Sequence, residues 1–204
     1  MAGPPAHPLW TRLAGGRMTP AVAASLHRYL DLLHEKNRAV NLTAVRDRGE
    51  AEVRHVADAL LLLDHLPPKP AHVLDFGTGG GVPGVPLAIV RPDLKLTLLD
   101  ATAKKIAFLD EVVADLKLTN VRTVCARGER PTDRRFDVVV SRAVAAMPRL
   151  LGWTMPLLRK NGRLLALKGR RAAEEVAEAQ VKARLHRSEI EELAETVVVE
   201  VRKK

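Results

Sequence analysis

The chain has 204 residues, 47% of them hydrophobic, and a formal net charge of +9. That apolar share supports a packed core and excludes a disordered chain, and the length favours one domain with at most a small appendage. The positive surplus attracts polyanions, nucleic acid before anionic membrane, although a genome that encodes Arg freely gives the same surplus.

Residues 1–18 are rich in Pro, Gly and Ala, lack the apolar run of a signal peptide, and read as a poorly ordered N-terminus. Thr19-Pro20 then reads as an N-cap followed by a first helical residue. Leu26, Leu30 and Leu33 recur at helical spacing and predict a helix over 20–37, which Asn41-Leu42-Thr43 interrupts. A second helix over 49–65 carries Val53, Val56, Leu60 and Leu63 on one face. Together 19–66 form a helical cap, and Pro67, Pro68 and Pro70 make a stiff linker to a domain over 71–204.

Within that domain the period changes. Candidate strands at 72–76, 95–100, 121–125, 136–141, 163–168 and 195–202 alternate with helical stretches at 83–90, 102–117, 147–159 and 171–185. The runs Phe136-Asp137-Val138-Val139-Val140 and Leu164-Leu165-Ala166-Leu167 are continuous rather than alternating, as in strands covered on both faces. This predicts an α/β fold, a doubly wound and mostly parallel sheet with the helical cap N-terminal to it. Right-handed crossovers bring the carboxyl ends of the strands to one edge, where 75–82, 100–104, 126–130, 141–143 and 168–170 converge. Apolar stretches are too short to span a bilayer. Cys125 is the only cysteine, which fits a reducing cytoplasm, and the scattered His residues with no C-x-x-C give no metal constellation.

Asp75-Phe76-Gly77-Thr78-Gly79-Gly80-Gly81 ends one strand and leads into a helix. Glycines there let a ligand lie against bare backbone, and the following helix N-terminus offers free N–H groups. The run Gly79-Gly80-Gly81-Val82-Pro83-Gly84 also matches a dinucleotide pattern, which alone is a weak signal. However, Pro83 and Pro86 remove donors that a diphosphate wants, and the carboxylate of Asp75 repels one. An ammonium-bearing ligand, S-adenosylmethionine, suits Asp75, Gly77, Gly79 and Gly81 better. Asp100 ends the next strand, where it accepts ribose hydroxyls, N-caps the helix after it, or both.

Several segments resemble the RsmG (GidB) family of bacterial 16S rRNA guanine-N7 methyltransferases. They are Asn41-Leu42-Thr43-Ala44-Val45-Arg46-Asp47, Arg54-His55-Val56-Ala57-Asp58, the stretch from Asp75 to Ile89, Leu98-Leu99-Asp100, Phe136-Asp137, Ser141-Arg142-Ala143 and Lys168-Gly169. The resemblance runs from about residue 25 to 170. It implies methyl transfer from S-adenosylmethionine to N7 of a guanine in the 530 loop, with 16S rRNA or a small-subunit particle as partner. It carries cofactor contacts onto Gly77, Val82, Gly128, Glu129 and Arg142. Phe76 stands where the family has a small aliphatic residue, Gly128 where it has a larger one, and the segment after Gly169 is shorter than usual.

Guanine N7 carries a lone pair and no proton, so the reaction needs geometry and a desolvated pocket rather than a general base. Arg142 is the first candidate for positioning, on the cofactor carboxylate or on guanine O6, with a surface salt bridge as the plain alternative. His55, oriented by Asp58 three residues on, and Asn41 complete the catalytic candidates; a structural histidine and a turn cap are the competing readings. Lys168 and the pairs Arg134-Arg135 and Arg170-Arg171 read as phosphate contacts or as solvated surface. The expected protein is a cytoplasmic monomer without membrane association. Methylation of another substrate, a nucleotide-binding oxidoreductase and a non-enzymatic RNA-binding module remain the competing functions.

Overall fold

The computed structural model describes residues 4–127 and 135–204. Gly128, Glu129 and Arg134 therefore lie outside the described residues.

The stretch expected to lack order contains a helix, α1 (Pro8–Ala14). Pro8 occupies its first turn, where a missing N–H is harmless, and His7 Nδ1 accepts from the Leu9 N–H. Trp10 is fully buried, its indole N–H donates to the Glu52 carbonyl at 2.9 Å, and its ring lies 4.8 Å from that of His27. One large anchored aromatic thus overrides a composition that reads as loose. Helix α2 (Pro20–Val40) starts where the Thr19 hydroxyl accepts from the Val22 N–H, and buries Leu26, Tyr29, Leu30 and Leu33. It ends at Asn41, in the left-handed region with φ 52°. The second cap helix is irregular: α3 (Arg48–Ala51) runs into a π-helical stretch, Glu52–Ala57, and then α4 (Asp58–Leu60). Such π turns recur at functional sites.

The sheet comprises β1 (His72–Phe76), β2 (Lys95–Asp100), β3 (Val121–Cys125), β4 (Phe136–Arg142), β5 (Leu158–Lys168), β6 (Arg184–Arg187) and β7 (Val197–Arg202). Its order is β3-β2-β1-β4-β5-β7-β6. The first five strands are parallel to one another, and β7 runs antiparallel between β5 and β6. The intervening helices are α5 (Gly84–Val90), α6 (Ala103–Asp115), α7 (Met147–Thr154) and α8 (Ala172–Glu178). Two expectations need correction. The helix read over 171–185 stops at Glu178, and the edge strand β6 follows; mostly exposed, it carries no apolar alternation to reveal it. The helix read over 147–159 also ends early, so that β5 starts at Leu158.

Two apolar layers sandwich the sheet. One joins the cap, α5 and α6; the other joins α7 and α8. Every residue of α5 is buried, because the helix lies between β2 on one side and α2 and α4 on the other. Phe76 enters the second layer, with its ring 6.0 Å from that of Trp153. Beside β1 the chain winds one way to β2 and the other way to β4, which opens a crevice at the carboxyl ends of β1 and β4. No helix among the described residues is long and apolar enough to cross a membrane.

If Trp10 anchors the N-terminal segment, Trp10→Ala will destabilise the protein by about 3–5 kcal/mol. Chemical denaturation measures this, and an unchanged midpoint would mean that α1 contributes nothing.

Candidate functional site

A cleft of about 710 Å³ opens at this carboxyl edge beneath the cap. Gly77–Gly80, Val82 and Lys105 line one half, on the β1 and β2 side. Arg142–Ala145, Leu167–Gly169 and Thr196 line the other, on the β4, β5 and β7 side. Leu33, Leu42–Val45, Arg54 and Asp58 come from the cap.

The glycine loop is held from behind by carboxylates. Asp75 is fully buried; its Oδ2 accepts from the Thr78 hydroxyl at 2.6 Å and from the Gly84 N–H at 2.8 Å. Its Oδ1 is buried with no hydrogen-bond partner. Burial pushes the carboxyl up to about 7, against the pull of the Thr78 and Gly84 bonds. Asp100 Oδ2 accepts from the Gly79 N–H at 3.0 Å and its Oδ1 from the Thr102 N–H at 2.9 Å. Asp100 therefore ties the loop to the start of α6, and it retains lone pairs for further donors. Gly77 has φ 72°, and a Cβ there would meet Val144 Cγ2 at 2.4 Å. Gly79 has φ 58° and faces open space. From the cap, the buried Tyr29 hydroxyl donates to the Gly80 carbonyl at 2.8 Å. Asp75, Gly81 and Asp100 shape the loop from beneath, whereas Gly77, Gly79 and Val82 face the cleft.

These features suit S-adenosylmethionine. A bare glycine wall borders the cleft, and directly beneath it lie the acceptor oxygens of Asp100 and the one unsatisfied oxygen of Asp75.

Across the cleft, Ser141 donates to the Phe76 carbonyl at 3.1 Å and holds the end of β4 to β1. Arg142 Nη2 donates to His55 Nδ1 at 3.1 Å, and Nη1 donates to the Arg54 carbonyl. A guanidinium only donates, so Nδ1 is the acceptor and the imidazole proton sits on Nε2. That proton points at Thr43 Oγ1, 2.9 Å away. Burial first, and the Arg142 charge second, push His55 down to about 4, so the ring is neutral. His55 is buried behind the wall and does not line the cleft.

Other candidates move. Asp58 does not orient His55: its Oδ1 accepts from the Thr196 hydroxyl at 2.8 Å, across 138 positions of chain. Burial pushes the Asp58 carboxyl up, while Thr196, Arg54 and Arg142 pull it back. Asn41 ends α2, and its exposed side chain accepts from Arg46 at 3.3 Å outside the cleft. Its helical neighbour Asn37 does the shaping, gripping the Thr43 carbonyl at 3.0 Å and N–H at 2.9 Å. Lys168 is committed to Glu175 at 2.7 Å rather than to a phosphate, and Glu175 also accepts from the Met147 N–H. Arg170 pairs with Glu195 and Arg171 with Glu174, all on the surface. Sequence reasoning missed Tyr29, Asn37, Thr43 and Thr196. Tyr29 carried a signal, as the only tyrosine in the chain and placed on a leucine stripe, and Thr43 carried one through its place in the Asn41-Leu42-Thr43 segment.

The family model described as rRNA small subunit methyltransferase G, GidB, matches residues 22–201. A curated ribosomal RNA small subunit methyltransferase G from Cronobacter sakazakii is 44% identical over 155 residues, covering 76% of this chain and 74% of that protein. The protein of the same description from Neisseria meningitidis serogroup B is 47% identical over 148 residues, covering 72% and 71%. Among solved structures, a SAM dependent methyltransferase from Aquifex aeolicus superimposes with a TM-score of 0.58 at 15% identity, covering 76% of this chain and 93% of that one. A ribosomal protein L11 methylase from Lactobacillus delbrueckii subsp. bulgaricus gives 0.57 at 16% identity, covering 72% and 78%. At those identities the structural likeness establishes the methyltransferase fold.

Asp75→Asn keeps an acceptor for Thr78 and Gly84 but places an amide N–H₂ where the free oxygen stands. Titration calorimetry with S-adenosylhomocysteine is expected to show affinity about ten- to a hundredfold lower, the worth of a hydrogen bond to a charged group; an unchanged Kd would remove Asp75 from the cofactor site. Nitrogen-detected NMR of His55 is expected to find the Nε2–H tautomer and a neutral ring through pH 6. Protonation near its ordinary value of 6.5 would contradict the Arg142 contact.

Proposed function

The chain belongs to the rRNA small subunit methyltransferase G family, and from that premise we propose that it transfers the methyl group of S-adenosylmethionine to N7 of a guanine in the 530 loop of 16S rRNA. The cytoplasm, where ribosomal RNA is assembled into particles, is the matching location. The observation that carries the choice of N7 is the state of His55. Both ring nitrogens are engaged, one by Arg142 and one by Thr43, and the ring is held neutral well below physiological pH. The imidazole nearest the acceptor half is thus no general base. An acceptor atom with a free lone pair and no proton to lose needs none.

When bound, S-adenosylmethionine supplies an electrophilic methyl carbon on a sulfonium. The residues around it have separable tasks. Asp75 holds the loop through Oδ2 and attracts the ammonium group from beneath the glycine wall, Gly77 and Gly79 let the ligand lie on the backbone, and Asp100 offers its remaining lone pairs to ribose hydroxyls. Arg142 uses one N–H on His55 and one on the Arg54 carbonyl, and its other N–H groups are available to an acceptor in the cleft. Leu33, Leu42, Val82 and Val144 wall the space with apolar surface that excludes water. Pre-organised placement of this kind lowers the barrier by aligning the nucleophile with the methyl carbon.

Labelled methyl from S-adenosylmethionine is expected to enter small-subunit rRNA, and Arg142→Ala to lower that rate about 10²- to 10³-fold with the thermal transition retained. Wild-type turnover in the variant would remove Arg142 from the site. A wild-type protein that binds S-adenosylhomocysteine but labels no ribosomal substrate would overturn the proposed function.

A further inference from the structure

The cap contributes one carboxylate whose geometry the methyl donor does not explain. Asp58 is 4% exposed and sits at the start of α4. Thr196 occupies its Oδ1, and no described residue donates to its Oδ2, although the side chain lines the cleft. The residue is largely buried, yet this acceptor oxygen is left to the cleft, where a bound ligand can supply the donor. The half of the cleft it faces is bounded by Arg142 and Thr196, at the ends of β4 and before β7, away from the glycine wall that takes the cofactor. Arg54 and Arg142 also act on it electrostatically, so that half presents a carboxylate acceptor beside cationic donors.

That pairing of charges fits one base. Guanine offers two acceptors, N7 and O6, on one edge and two adjacent donors, N1–H and the N2 amine, on the other. Among the four RNA bases only guanine places two donors side by side on its Watson–Crick edge, and a carboxylate accepts such a pair. We propose that Asp58 selects the acceptor base, its Oδ2 receiving the N1–H and N2–H donors of the target guanine while Thr196 fixes the carboxyl through Oδ1. This rests on the guanine reading of the reaction. It gives the long-range Asp58 to Thr196 bond a task, which is to hold a substrate-reading carboxylate between the cap and the last strand. The same negative charge faces a ring that becomes cationic on N7 methylation.

The test compares methyl transfer to an rRNA fragment carrying guanine at the target with one carrying inosine, which lacks only the N2 amine. Wild-type protein is expected to favour guanine in kcat/KM about tenfold or more, the worth of a hydrogen bond to a charged acceptor. Asp58→Asn retains an oxygen for Thr196 and turns the free position into a donor. It is expected to lower kcat/KM on guanine by about tenfold or more and to shrink the guanine-to-inosine ratio to about two, with the S-adenosylhomocysteine Kd within about twofold of wild type. Equal use of guanine and inosine by the wild-type protein, which requires no variant to fold, overturns the role of Asp58 and leaves the reaction standing. Undiminished discrimination in Asp58→Asn does the same. Wild-type protein that methylates neither fragment at N7 overturns the proposed reaction, and the role of Asp58 with it.

Discussion

The buried carboxylate of Asp75 is the contact on which the cleft depends. It sits at the carboxyl end of β1, the strand from which the sheet winds both ways, and its Oδ2 takes the Thr78 hydroxyl and the Gly84 N–H together. Those two bonds bend the chain from strand to helix within a few residues. They leave Gly77 and Gly79 in left-handed conformations with their backbone bare to the cleft. Removing a carboxylate from water is unfavourable unless hydrogen bonds replace the lost hydration. Here one oxygen is served by the loop and the other has no partner, and burial pushes the carboxyl up to about 7 against the pull of the two bonds. The same residue therefore builds the loop and keeps one unpartnered acceptor oxygen beneath it.

A second constraint joins the cap to the sheet. Arg142 at the end of β4 reaches the second cap helix at two points, the Arg54 carbonyl and the His55 ring, and His55 passes the contact to Thr43 in the loop after α2. Tyr29 makes the matching connection on the other side, from α2 to Gly80. The cap is thus part of the site: Leu33 and Leu42 form its apolar ceiling, and Asp58 with Arg54 brings charge to it. The π-helical stretch through Glu52–Ala57 lies where these contacts concentrate.

The sequence made much of this legible. Continuous apolar runs such as Leu164-Leu165-Ala166-Leu167 marked buried parallel strands, and the glycines after Asp75 marked the strand-to-helix loop that borders the cleft, because both signals are local. What stayed hidden depends on partners far along the chain. Trp10 orders a proline-rich N-terminus only because Glu52 and His27 are there to receive it. Asp58 looked like a helical neighbour of His55, yet its partner is Thr196. Asn41 carried the more suggestive pattern, but Asn37 does the shaping, since it faces back toward Thr43 while Asn41 caps the helix outward. Strand β6 escaped notice because a mostly exposed edge strand needs no apolar face. Lys168 at a strand end read as a free cation, and Glu175, one helix later, neutralises it.

A site whose histidine is committed at both nitrogens favours an acceptor that sheds no proton. The most direct test of that claim is chemical mapping of the methylated atom in small-subunit rRNA after incubation with the protein and S-adenosylmethionine. N7-methylguanine becomes sensitive to borohydride reduction and aniline cleavage. The account predicts strand scission at a single guanine in the 530 loop. A methyl group found instead on a base nitrogen that loses a proton on transfer, such as guanine N1 or N2, would require a proton acceptor that the doubly engaged His55 does not supply and would contradict it.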